Sequence, residues 1–349
     1  MARRPIRPRS DRRLRSRWQV DRRRRRLLLT VGVVFVLMVV GVLAYGYYSS
    51  YIAPARAVAA YVGNTTITMG DVVKRMRALQ AMGAYSDPQS AASAPQETLI
   101  SLVENEMAYQ AALKKGVTVT ELEVSYTIQS YFYPVPGEGE EVDPAALERE
   151  YKENYNAFLN ASGLSDGEFR HMMRRSIAAD KISSQMAAEI PNQANHVEVY
   201  WIAIPFGENY QEAQQMLEGG EDFATVCQQY NTDTSYADES CYVGWVPEGA
   251  FPDLDETLFS IEHDTVSAPV STTDGTYFLK VVGGPEVRDI SDMMLYKLDQ
   301  EAYGSWVDGL WDEYRANSAI RLIYNSERDT WAREQLKISE PTPTPTIEV

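Results

Sequence analysis

Redox and ligand chemistry in this chain must come from few residues: Cys227, Cys241, His171, His196 and His263 are its only cysteines and histidines. The two cysteines can close a disulfide loop of about 15 residues, stabilising the fold by about 3 kcal/mol through lost unfolded-state entropy. Alternatively, Cys227 is a small apolar residue on the buried face of a helix. The sequence leaves both readings open. The histidines are scattered without the spacing of a ligand set, so no metal is expected. Glycine-rich dinucleotide and phosphate loops, a His-Glu-x-x-His pair and a Gly-x-Ser-x-Gly elbow are all absent, so no cofactor is expected either. What remains is binding by aromatic and acidic side chains. The 22 tyrosines offer flat apolar faces with a polar handle, suited to gripping polypeptide, although most such rings serve ordinary packing.

These residues need elements to hold them. VEVYWIAIP (197–205) is strand-like and leads into a helix around Ala213, Met216 and Leu217, closed by Gly219 and Gly220. A second helix starts at EDF and sets Phe223, Val226, Cys227 and Tyr230 on one face. YNTD (230–233), VGWVPEGAF (243–251) and the strand-like VSAPVSTTDGTYFLKV (266–281) follow. Upstream, 57–68 is strand-like and a helix begins near Gly70; a Ser/Ala-rich break occupies 86–93. Pro95 is expected to open a long helix with Leu99, Val103, Met107 and Leu113 on its buried stripe and Gly116 as its cap. TVTELEVSYTIQSYF resumes helix, 134–143 is an acidic Pro/Gly loop, and 145–159 is amphipathic. Ser165 and Glu168 have the spacing of a capping box opening a helix to about Ile190. Residues 290–314 are helical again, with Tyr303, Trp306, Leu310 and Trp311 on one side, most simply as core. The 339–349 tail has the Pro/Thr bias of a disordered segment.

Charge divides the chain sharply. Residues 1–26 hold 13 Arg and two Asp, net +11; with −16 for the whole chain, residues 27–349 carry −27. Between the two lies an uncharged run of 22 residues from Leu27 to Tyr48. At about 1.5 Å per residue it can cross a hydrocarbon core of about 30 Å. Arg22 to Arg26 adjoin its first end, so the positive-inside rule sets the N-terminus in the cytoplasm and the acidic bulk outside, a single-pass cell-membrane topology. A cleaved signal peptide would have an unusually long basic region and only a poor small-residue site, Ala55-Arg56-Ala57. The arginines act as a topology signal with affinity for anionic lipid, or else also serve a cytoplasmic partner. The acidic exterior argues against nucleic acid as a partner, since phosphate contacts need basic surface.

The order of the segments between 197 and 282 resembles the parvulin (PpiC-type) peptidyl-prolyl isomerases. VAAYVGNTTITMGDV, LISLVENEMAYQAALKKGVTVTELEV and SGLSDGEFRHMMRRSIAADKI resemble the helical parts of the SurA/PrsA-type extracytoplasmic foldases. The resemblance spans about residues 57–325. In that family a helix after the parvulin domain returns to complete a split helical domain, and 303–314 has its pattern. The family's first active-site histidine corresponds to Trp201, or to Tyr200 if the register slips by one, and its last to Tyr277 after Gly275. Its acidic or thiol position corresponds to Asp233, and its apolar prolyl pocket to Val243, Phe251 and Leu254. Rotation about an X–Pro amide crosses a barrier of about 18–20 kcal/mol, which such a pocket lowers by favouring the twisted amide. The imidazole pair is missing: Tyr277 offers a hydroxyl and Trp201 only an indole donor, and neither titrates near neutrality. For Asp233 the competing reading is a loop aspartate in a turn bond. For the pocket residues and the two aromatics it is plain packing.

The resulting expectation is an α+β chain with six parts. These are a basic cytoplasmic segment (1–26), a transmembrane helix (27–48), a helical SurA-N-like chaperone domain (57–192), a parvulin-like domain (196–286), a C-terminal helix completing the helical domain (287–338) and the tail (339–349). The implied work is binding unfolded or nascent secreted polypeptides outside the membrane, with isomerisation weak or lost. An active isomerase using Asp233, Tyr277 and the pocket is one alternative, and a scaffold for one envelope partner is another. A homodimer through the helical domain is compatible with the sequence and is not specified by it.

Overall fold

The computed structural model describes residues 17–85, 90–136 and 143–336. Residues 1–16 of the basic segment, 86–89 of the Ser/Ala-rich break, 137–142 of the acidic loop and the Pro/Thr tail lie outside the described residues. Helix α1 (Arg17–Tyr47) runs into a π-turn (Tyr48–Ile52) and a short α2 (Ala53–Arg56). The stretch Leu28–Arg56 is long and apolar enough to cross a membrane, and its most apolar part is not buried against the rest of the chain.

A hairpin of β1 (Val58–Val62) and β2 (Thr65–Thr68) opens the helical body, followed by α3 (Met69–Ala81), α4 (Ser90–Lys114), α5 (Glu121–Phe132), α6 (Pro144–Ser162) and α7 (Asp166–Ala187). Reciprocal capping boxes start three of these helices: Thr68 with Asp71, Thr120 with Glu123, and Ser165 with Glu168. Two expectations for α4 need correction. Pro95 does not open it but sits inside, because Ala91 and Ala94 are buried in the core and carry the helix past a residue that normally ends one. Leu113 is 51 % exposed, since it falls off the stripe on which Leu99, Val103 and Met107 are buried.

The second body is built on β3 (Gln193–Pro205), α8 (Tyr210–Glu218), α9 (Phe223–Tyr230), β4 (Tyr242–Pro247), α10 (Pro252–Leu258), β5 (Val270–Ser271) and β6 (Gly275–Asp289). Its antiparallel sheet has the order β4-β3-β6-β5. Strand alternation sends Val197, Val199 and Trp201 to one core, and Tyr200, Ile202 and Ile204 to another against α8 and α9. A disulfide joins Cys227 on α9 to Cys241 before β4, with Cα atoms 6.1 Å apart. The ends of this body are hydrogen-bonded together: Gln193 pairs with Asp289, and Ile290 N–H donates to Asn192 O at 2.9 Å.

Helix α11 (Asp292–Ala316) then crosses back. Met294 packs in the sheet body, while Leu310, Trp311 and Tyr314 are buried with Met107 and Val103 in the helical body. The C-terminal region holds more than the single expected helix. Ser318 turns the chain at positive φ, β7 (Ile320–Leu322) pairs with β1, and α12 (Ser326–Glu334) packs on α3 and α4. The Trp331 indole donates to Ser50 O at 3.0 Å, tying α12 to the end of the long apolar helix.

Two tests address these bonds. Replacing both cysteines (Cys227→Ser with Cys241→Ser) should lower stability by about 3 kcal/mol. The loss should appear as a lower urea midpoint, which reductant reproduces in the native chain and not in the variant. The Lys74 ammonium and the Ser165 hydroxyl and amide hold the Glu168 carboxyl down at about 2. A depressed carboxylate stabilises the fold above its ordinary value of 4.5 and loses that effect as pH falls toward about 2. Acid titration of Glu168→Gln by circular dichroism should therefore be flatter across that window.

Candidate functional site

The site grows from the pairing of β3 with β6. Trp201 faces Leu279 across the ladder and Ala203 faces Tyr277, so Trp201 and Tyr277 are diagonal neighbours on one face. Strand β6 can approach so closely because position 275 is glycine: a Cβ there would lie 2.3 Å from Ile204 O. Trp201 is 1 % exposed, and its ring stands edge-on to Phe251 at 4.9 Å and to Tyr277 at 5.9 Å. Tyr200 points the other way and packs on Tyr242.

The loop after α9 is pinned to β3. Asn231 Oδ1 accepts from Ala203 N–H at 2.9 Å, and Thr232 N–H donates to Ala203 O at 3.0 Å. This brings Asp233 under the sheet. Its Oδ2 accepts the Trp201 indole N–H at 2.7 Å, while Oδ1 accepts from the amides of Ser235 at 2.8 Å and Tyr236 at 3.2 Å. Both carboxylate oxygens are therefore engaged, one of them in the turn bond weighed for a loop aspartate.

Phe251 precedes α10 and is also edge-on to Tyr236 at 5.0 Å. With Leu254 and Tyr277 it walls a cavity of about 170 Å³ whose other side includes Thr272, Asp274, Lys297 and Glu301. Val243 and Trp201 lie behind that wall in the core. The six candidate residues thus come together, in two layers. Phe251 and Tyr277 can touch a ligand, while Trp201, Asp233, Val243 and the buried Leu254 support them. Burial, with the Asp274 and Asp233 charges adding to it, pushes the Tyr277 hydroxyl above its ordinary value and keeps it a neutral donor. Chemically, the arrangement can seat a small apolar ring against aromatic edges.

Three contributors escape a reading of the sequence. Asn231 and Tyr236 act through loop geometry. Lys297 comes from α11, with its ammonium 5.0 Å from the Phe251 ring centre and bridged to Glu301.

The profile of the SurA-like N-terminal domain matches residues 22–183, and that of the PPIC-type PPIASE domain matches residues 206–283. Foldase protein PrsA of Oceanobacillus iheyensis is 27 % identical over 181 residues, covering 49 % of this chain and 59 % of the relative. The chain belongs to the SurA/PrsA-type parvulin foldases. Foldase protein PrsA of Clostridium acetobutylicum is 21 % identical over 275 residues, 68 % of this chain and 78 % of the relative. Chaperone SurA of Methylococcus capsulatus is 27 % identical over 93 residues, 26 % and 20 % of the two chains. The crystal structure of peptidylprolyl isomerase (PrsA) from Bacillus anthracis has a TM-score of 0.40 at 15 % identity, covering 63 % of this chain and 98 % of that one. Of the SurA/PrsA-type pattern, the PPIC-type match opens just past β3, so Trp201 falls outside it while Asp233, Val243, Phe251, Leu254 and Tyr277 fall within.

Trp201→Phe keeps an aromatic body and removes the indole donor, leaving Asp233 Oδ2 without it. A half-buried charged acceptor stripped of a partner costs about 1–3 kcal/mol. Urea unfolding followed by circular dichroism should show that loss, and Asp233→Ala in the same background should add to it, because it also removes the acceptor of the Ser235 and Tyr236 amides.

Proposed function

We propose that this protein is a membrane-anchored, extracytoplasmic chaperone of the foldase type that holds non-native secreted polypeptides, with prolyl isomerisation weak or lost. The anchor is the run from Leu27 to Tyr48, with the arginine-rich end in the cytoplasm. The supporting observation for binding without catalysis is the Trp201–Asp233 bond. Where the family works with an imidazole pair and a nearby acidic or thiol group, this chain has an indole donor filling a carboxylate whose other oxygen is already taken. A group so engaged is not available to polarise a substrate amide. The cavity at Phe251, Leu254 and Tyr277 remains, which suits grip on proline or a small apolar side chain.

A second reading, an active isomerase, draws support from that same cavity, because the aromatic surface that Phe251 and Tyr277 offer in it can desolvate an amide and so favour the twisted state. Catalysis would then depend on Phe251 and Tyr277 rather than on Asp233.

The two readings separate in proline-limited refolding of a model protein beside a short prolyl peptide. The full chain in detergent should leave the uncatalysed rate, tens to hundreds of seconds at 25 °C, unchanged for the peptide. It should suppress aggregation of several unrelated unfolded proteins, with Phe251→Ala weakening that effect. Acceleration of both substrates would make the isomerase reading correct. Suppression restricted to one protein would point to a dedicated scaffold.

A further inference from the structure

A second cavity, of about 260 Å³, opens in the helical body between β2, α3, α4 and α7. Its apolar lining includes Ile67, Leu102, Leu164 and Met172. Its cations are matched by carboxylates with one exception, and among the described residues the Asp71 carboxylate has no cationic partner. Lys74 bridges Glu168, which also caps α7 through Ser165. Arg175 Nε donates to Glu106 Oε2 at 2.5 Å, and Glu106 Oε1 accepts from Thr65 at 2.7 Å and Gln110 at 2.8 Å. Asp71 accepts from the Thr68 amide and hydroxyl. His171 Nδ1 lies 3.5 Å from Arg174 Nη1.

Arg75 is the exception. Its Nη1 meets only the Met172 thioether, at 3.0 Å, and among the described residues no carboxylate pairs with it. Burial pushes its guanidinium below its ordinary value, with Tyr85 and Tyr131 acting weakly the other way. A partly buried cation without a counterion is costly to keep, and cheaper side chains of similar length exist. Its five donors are shaped for a carboxylate. Within an exterior of net charge −27, the cleft is balanced, with Lys74, Arg75 and Arg175 set against Asp71, Glu106 and Glu168, and Arg75 is the cation in it without a carboxylate partner.

We infer that this cleft binds the carboxylate of a Glu or Asp side chain beside an apolar residue in a non-native client segment, with Arg75 receiving the carboxylate and Ile67, Leu102 and Met172 the neighbour. The inference rests on the client-binding reading above. It adds a preference that the acidic exterior would not lead one to expect. Repulsion from distant surface acids is screened beyond about 8–10 Å at physiological salt, so contact inside the cleft decides.

The test uses the full chain in detergent and fluorescein-labelled, unstructured peptides with one Leu-Glu pair, its Leu-Gln counterpart, and each with a free or amidated C-terminus. The Leu-Glu peptide should bind about tenfold tighter than Leu-Gln, the effect of one charge-assisted hydrogen bond. Arg75→Met should abolish that difference while leaving the melting temperature unchanged or higher, since it removes an uncompensated charge. Arg75→Lys should retain part of it. Equal affinity for the two peptides would overturn the inference, as would a preference that survives Arg75→Met or one that follows the free C-terminus instead of Glu. A fall in melting temperature together with binding in Arg75→Met would make the residue structural and also overturn it. Suppressed aggregation without any Glu preference would leave the chaperone reading standing alone, whereas neither suppression nor peptide binding would remove both.

Discussion

Helix α11 is the constraint on which the rest of the structure hangs. One continuous helix of 25 residues buries Met294 in the sheet body and Leu310, Trp311 and Tyr314 in the helical body. A helix of that length is about 37 Å of stiff rod, so the two cores cannot be displaced independently without uncovering apolar surface on it. The same rod carries Lys297 to the rim of the Phe251 cavity. The pocket of one body is thus finished by an element whose position is fixed in the other.

Within the sheet body, burial and hydrogen bonding divide the labour. The edge-on cluster of Trp201, Phe251, Tyr236 and Tyr277 gives a dense aromatic floor, and edge-to-face pairs add about 0.5–1.5 kcal/mol beyond the area they cover. Asp233 under that floor would be a half-buried charge in want of partners, yet three donors satisfy it. A carboxylate so well satisfied is a good structural element and a poor reagent. That contrast underlies the proposal of a gripping rather than a catalytic pocket.

Much of this was legible beforehand where the physics is local. The Ser165–Glu168 capping box, the face of Phe223, Val226 and Cys227 on α9, and the apolar run from Leu27 to Tyr48, which lies mostly within the Leu28–Arg56 stretch of the structure, follow from short-range rules. The resemblance to the family places Trp201, or Tyr200 one residue away, and Tyr277 on the sheet, and the ladder puts Trp201 rather than Tyr200 on the face of Tyr277. What failed depended on packing across the chain. Pro95 looked like a helix start because the burial of Ala91 and Ala94 cannot be read from their own neighbours. Leu113 looked buried until the drift of the helical stripe was set by the real partners of α4. Tyr236 and Lys297 gave no signal, since one sits in a loop and the other on a helix assigned to another domain. Strand β7 was missed because three residues carry little periodicity and pair with β1 from the far end of the chain.

The closed base of the sheet body has a consequence for the order of assembly. Its first and last strands are bonded to each other where they leave it, through Gln193, Asp289, Asn192 and Ile290. All its strands are therefore present by the time Ile290 has been synthesised, and once Met294 at the start of α11 follows it can fold as a unit. The helical body cannot. Its central strand β1 waits for β7, and its core waits for Leu310, Trp311 and Tyr314. A chain made from its N-terminus thus completes the inserted part before its host. The folded insert then holds the two halves of the host side by side. The entropy saved is small, about 0.6 kcal/mol for each halving of the effective loop, but the sequence of events is enforced by connectivity alone.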